Sequence, residues 1–243
     1  RLLSRLATSP NWGLVFLDHA AAVYTRAAGA PRLDLERRAA ELAREDHFRP
    51  GLPTWLGGQP LTYDLSGNLT SDGTNTYTWT ARNQLATITG PVPASFVYDG
   101  AGRRMRKTIN GTSTDVLYDG LNPIQEVTGA DAASLLTGLG IDEYFVRSDT
   151  SGASALLTDA LGSTVALTDP AGTVQTQYTY GPFGATITTG GATGNRIDYT
   201  GRESDSTGLK YYRARYYHPG LARFVSEDPI GFLGGVNWYA YVA

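Results

Sequence analysis

Six side chains able to carry proton or charge chemistry lie within one short stretch: Arg213, Arg215, His218, Arg223, Glu227 and Asp228. A carboxyl group can take a proton from water or give one to a leaving amide. A guanidinium can hold that carboxylate or polarise a carbonyl. Arg215 stands thirteen residues before Asp228, which fits a strand–turn–strand partner. Glu227 is adjacent to Asp228, but in an extended strand it points to the opposite face. Glu203 and Asp205, in the preceding hairpin, are the nearest candidates for a second acid. By spacing alone the stretch reads as a turn-rich, charge-paired segment in which Asp228-Pro229 opens a turn. Asp169-Pro170 shows that an Asp-Pro step carries no special meaning by itself.

Other chemistry is quickly exhausted. There is no G-x-S-x-G elbow, no G-x-G-x-x-G, no phosphate-binding loop and no H-E-x-x-H. Three His, scattered, suggest no metal centre, and no cofactor is expected. His19 and His47 read as ordinary helix residues. Cysteine is absent, which removes disulfides, thiolate zinc sites and cysteine nucleophiles together. Asn68-Leu-Thr70 and Asn110-Gly-Thr112 fit the glycosylation pattern, yet both fall in turns that backbone geometry already explains. Tyr and Trp can stack on sugars, but in a β protein this rich in Tyr most rings pack across strands.

The 243 residues are 41% hydrophobic and 18% charged, a globular composition with no run of ~20 apolar residues to span a membrane. A net charge of -3 argues against nucleic acid or an anionic membrane as main partner. The first residues lack a continuous apolar run followed by a small-residue cleavage site. A chain opening on Arg1 is expected to be a piece of a longer one. Of 29 Thr and 29 Gly, 27 of each lie after residue 50, so two compositions are joined end to end. Residues 1–55 predict a helical insertion or cap. One helix is expected over Pro31–Asp46, with Leu35, Ala39, Leu42 and Ala43 at helical spacing, and another from about Trp12 to Ala28.

Beyond residue 55 the pattern is β. Tyr63-Asp64-Leu-Ser-Gly67-Asn68 is echoed by Tyr98-Asp99-Gly-Ala-Gly102-Arg103, and a shorter copy stands at Tyr118-Asp119-Gly120. Tyr77-Thr-Trp79 leads into Ala-Arg82-Asn83-Gln84 between them. Copies without the Tyr appear at Asp159-Ala-Leu-Gly162 and Asp169-Pro-Ala-Gly172. Each Tyr closes a strand, Asp then hydrogen-bonds its own turn, and Gly two or three positions on supplies a positive φ. One repeat is one hairpin step of a long sheet.

These Tyr-Asp-x-x-Gly repeats resemble the YD repeats of the Rhs family. The likeness sharpens from Tyr178-Thr-Tyr180-Gly181-Pro182-Phe183-Gly184 through Tyr199-Thr-Gly201-Arg202-Glu203 to Gly208-Leu209-Lys-Tyr211-Tyr212-Arg213-Ala-Arg215-Tyr216-Tyr217. It continues through Pro219, Arg223-Phe224, Asp228-Pro229-Ile-Gly231 and Gly234-Gly235-Val-Asn237-Trp-Tyr239-Ala-Tyr241. That ordered run is similar to the Rhs-repeat-associated core domain. His218 stands where the family usually has Asp, and Ala222 where it has Gly.

The resemblance implies a mainly β fold. YD-repeat hairpins over 56–150 form part of a spiralling sheet, with the core domain at its end over 151–243. It also implies a shell that encloses a C-terminal toxin and cuts itself once beyond this stretch, with Asp228 and Arg215 implicated and a second acid supplied downstream. The implied partners are the rest of its own shell, the toxin cargo and a secretion or injection apparatus, in a product secreted or delivered to target cells. The alternative is a non-catalytic cell-surface adhesion or glycan-binding module. A purely structural scaffold, in which Asp228 only pairs with an Arg, is a third.

Overall fold

The computed structural model describes residues 59–241, together with the backbone of Gly13–Asp18, Ala21–Thr25 and Trp55–Leu56. Its main body is a 14-stranded antiparallel sheet running from Thr62–Tyr63 to Thr186–Gly190, each strand paired with its neighbours in sequence. This up-and-down order is what short hairpin turns dictate. In the turn after Tyr63, Asp64 Oδ1 accepts the amides of Ser66 and Asn68, each at 2.9 Å, and Gly67 takes φ 76°. Asp99, Asp159 and Asp169 repeat the same bonds two and four residues on. Thr80 plays the Asp part with its hydroxyl, and Asn83 takes the left-handed position at φ 56°. The shorter copy differs: Asp119 lies in a strand and pairs with Asn122, so the turn there is the tight Gly120-Leu121.

Beside these turns the register slips, for instance between Thr62/Tyr63, Thr78/Trp79 and Leu117/Tyr118. Such bulges leave a carbonyl without a ladder partner and increase twist. The repeat aromatics fill that need. Trp79 Nε1 donates to the Leu69 carbonyl at 2.7 Å, Tyr98 Oη to Leu85 at 2.9 Å and Tyr118 Oη to Arg104 at 3.1 Å. Tyr180 Oη does the same to Thr164. Tyr98, Tyr118 and Tyr180 are thus both packed rings and tethers between adjacent strands.

A second, four-stranded sheet follows: Glu203–Ser204, Lys210–Tyr212, Arg215–His218 and Arg223–Phe224. It lies against one face of the large sheet. Leu209, Tyr211, Tyr216 and Val225 share a core with Leu69, Tyr77, Leu85, Ile88 and Phe96. Farther along, Leu135, Tyr144, Leu156, Leu167 and Tyr178 close around Ile197. The fold is therefore mainly β, as the repeats require.

The helix expected from Trp12 to Ala28 does not form. Gly13–Asp18 and Ala21–Thr25 pair as an antiparallel hairpin, with a register break between Leu14 and Phe16. Val15, Phe16, Val23, Tyr24 and Thr25 are β-favouring residues that outweigh the Ala content read as helical. The helix expected over Pro31–Asp46 lies outside the described residues.

Candidate functional site

Asp228 opens a turn of the same design as the repeats. Its carbonyl accepts the Gly231 amide at 2.9 Å, Oδ1 accepts the Ile230 amide at 3.0 Å, and Gly231 takes φ 57°. The second carboxylate oxygen sets it apart. In Asp64, Asp99 and Asp169, Oδ2 is bound by Asn68, Arg103 and Gln175, all within a few residues of the turn. In Asp228, Oδ2 is met at 3.0 Å by Nη2 of Arg215, which comes from a separate strand of the small sheet.

The geometry around this pair is tight. Trp238 returns past both residues: its carbonyl accepts the Asp228 amide at 3.0 Å and Arg215 Nη1 at 3.2 Å. A Cβ at Gly234 would stand 2.7 Å from Asp228 Oδ2, so only glycine lets the 229–235 loop close this near the carboxylate. Both side chains remain 16% exposed, so the pair is not sealed from solvent. Burial pulls the Arg215 guanidinium below its ordinary value, and Asp228 offsets part of that. The arrangement offers a carboxylate with one oxygen fixed by its own turn and the other by a desolvated cation.

The rest of the stretch divides. Arg213 turns away and grips both oxygens of Asp142 at 2.5 and 3.0 Å, which Arg202 also meets at 2.8 Å. His218 is largely buried, with Nδ1 accepting the Leu221 amide at 3.3 Å. Burial lowers its pKa, and Asp72 counteracts in part. Arg223 stands opposite His218 in the register, and Glu227 is half-buried beside Asp228 in sequence.

Glu203 and Asp205, the candidates for a second acid, are committed elsewhere. Both meet Arg104, Glu203 at 2.6 Å, and both meet Lys107, at 3.4 and 3.1 Å. Lys107 also binds Glu126 at 2.8 Å, and Arg147 approaches Glu126 at 3.8 Å. Arg104 is fully buried, with its guanidinium carbon 4.2 Å from the Tyr211 ring centroid. This ionic joint between the two sheets escaped the sequence reading. Simple alternation sends Arg104 and Lys107 to opposite faces, and only the bulge between Arg104 and Arg106 turns both inward.

Comparison with known proteins gives a consistent result. A family model described as the teneurin YD-shell matches residues 52–233. The tRNA nuclease WapA of Bacillus subtilis (strain 168) is 32% identical over 213 residues, covering 77% of this chain and 9% of its own length. The double-stranded DNA deaminase toxin A of Burkholderia cenocepacia is 30% identical over 223 residues, covering 74% of this chain and 16% of its own. Among solved structures, the TcdB2-TccC3-Cdc42 crystal structure superposes with a TM-score of 0.62 at 23% identity, over 73% of this chain and 10% of that one. The chain spans a small fraction of each of these proteins.

Proposed function

The chain belongs to the YD-shell family of the Rhs type, and on that premise we propose that it is the C-terminal part of a shell enclosing a toxin, which frees that toxin by one cut of its own chain. The observation that carries the proposal is the Arg215–Asp228 pair. A turn-forming Asp needs no distant guanidinium, and the repeat turns at Asp64, Asp99 and Asp169 have none. Asp228 takes the proton from a water that adds to the scissile carbonyl. The C–N bond then breaks, and a second carboxyl delivers a proton to the leaving amine. Arg215 keeps Asp228 aimed. With Glu203 and Asp205 held by Arg104 and Lys107, that second carboxyl is assigned to the parent protein outside this chain.

Supporting the carrier reading over an adhesive one, the relatives bear the names of a nuclease and a deaminase toxin. The proposal further takes 151–243 as the core domain, the rest of the shell and its cargo as partners, and delivery outside the producing cell. The test is Asp228→Asn in the full-length parent, with intact mass and new termini read by mass spectrometry. Asn keeps the turn acceptor at Oδ1 and loses the charge. Wild type should give two polypeptides and the variant one, and Arg215→Ala should also remain whole. If Asp228→Asn is cut at the wild-type rate, Asp228 is a turn-former and the proposal fails.

A further inference from the structure

We propose that Phe224 is a positioning residue for the Arg215–Asp228 pair, acting through the face of its ring on the guanidinium; the inference rests on the self-cleavage reading above. Arg215 Cζ lies 3.6 Å from the Phe224 ring centroid, a close cation–π contact. The guanidinium is held on three sides: by the ring, by Asp228 Oδ2 at 3.0 Å and by the Trp238 carbonyl at 3.2 Å.

The ring itself cannot follow a wandering guanidinium. Phe224 is 5% exposed, and its amide donates to the Tyr239 carbonyl at 2.9 Å. Its ring meets Tyr212 at 5.6 Å, Tyr217 at 5.8 Å and Tyr241 at 6.0 Å, in edge and tilted contacts. Arg is long and rotamer-rich, so holding one geometry costs entropy. It is also desolvated here, which disfavours its charge. The electron-rich face offsets both costs without competing for the Asp228 carboxylate. An aliphatic side chain of similar size would fill the space but would not attract the cation.

Replacing Phe224 with pentafluorophenylalanine in the full-length parent keeps the ring's shape and reverses the charge of its face. Self-cutting should slow roughly tenfold. Mono- and trifluorinated rings at the same position should give intermediate rates, while thermal unfolding stays at the wild-type temperature. A merely structural ring predicts unchanged cutting across the series. Should the fully fluorinated parent fail to fold, the monofluorinated one still reports the trend. Wild-type cutting throughout, or a loss that ignores the degree of fluorination, overturns the assignment. Asp228→Asn in the same assay separates the two claims. If it is cut normally, the underlying reading fails. If it stays whole while the fluorinated parents cut normally, only the role of Phe224 falls.

Discussion

Replacing Asp205 with Asn preserves the shape of the buried ionic joint and removes one charge from it. Three carboxylates, Glu126, Glu203 and Asp205, face three cations, Arg104, Lys107 and Arg147. The Arg104 side chain is 0% exposed and that of Asp205 2%, so water cannot screen the uncompensated cation the variant leaves. Breaking a buried pair from one side costs about 3–5 kcal/mol. For a chain of this size that lowers the melting temperature by about 6–20 °C. The pH dependence adds a signature. Burial alone would raise the Asp205 carboxyl, but Arg104 and then Lys107 hold it well below the usual carboxylate range. Because the folded value is depressed, Asp205 stabilises fully above the unfolded value of about 4 and progressively less as pH falls below it. The Asn variant lacks this contribution at every pH. Urea unfolding followed by tryptophan fluorescence should therefore show a gap between the two proteins that is widest above about pH 5 and narrows towards about pH 3. A gap under about 1 kcal/mol at neutral pH, or one that does not narrow in acid, refutes the reasoning.

Other positions give independent checks. Tyr98→Phe deletes the bonds to the Leu85 carbonyl and the Tyr216 hydroxyl, at 2.9 and 3.0 Å, and should cost about 1 kcal/mol in denaturant unfolding. Tyr98→Ala also removes the packed ring and should cost about 3 kcal/mol, whereas an unchanged melting temperature would deny the tyrosine its anchoring role. Gly184 has φ 77°, and a Cβ there would lie 2.5 Å from the Tyr199 ring, so Gly184→Ala should cost about 2–4 kcal/mol. Gly111, at φ 80° in open space, should cost only about 1 kcal/mol on the same change. His218, its pKa lowered by burial, stabilises fully above the unfolded value of about 6.5 and less as pH falls through it. Its imidazole protons should titrate by NMR below about 6.5, and a midpoint at or above that value would contradict its burial.

The turns at Asp64, Asp99, Asp159 and Asp169 were legible in the chain because each closes on itself. Asp64 Oδ1 reaches amides two and four residues away, and Gly67 answers the demand for positive φ in the same short stretch. Trp12–Ala28 misled because its Ala content favours a helix, while the β-branched and aromatic residues among them outweighed it once the two segments paired across the hairpin.

At the candidate site, local spacing could present Arg215 and Asp228 as possible partners, but the same spacing described an ordinary turn. Only the folded chain shows Oδ1 taken by the turn and Oδ2 by the guanidinium. Glu203 and Asp205 mark the limit most clearly. Their type and nearness in sequence made them candidate acids, yet Arg104 binds Asp205 across 101 residues and turns it into structure. A buried carboxylate goes to the cation that repays its desolvation. The sequence thus determined the hairpins, their aromatic closers and the β architecture, all of which arise from contacts within a few residues. The tertiary structure alone decided which charges meet, because that depends on bulges and on two sheets packing face to face.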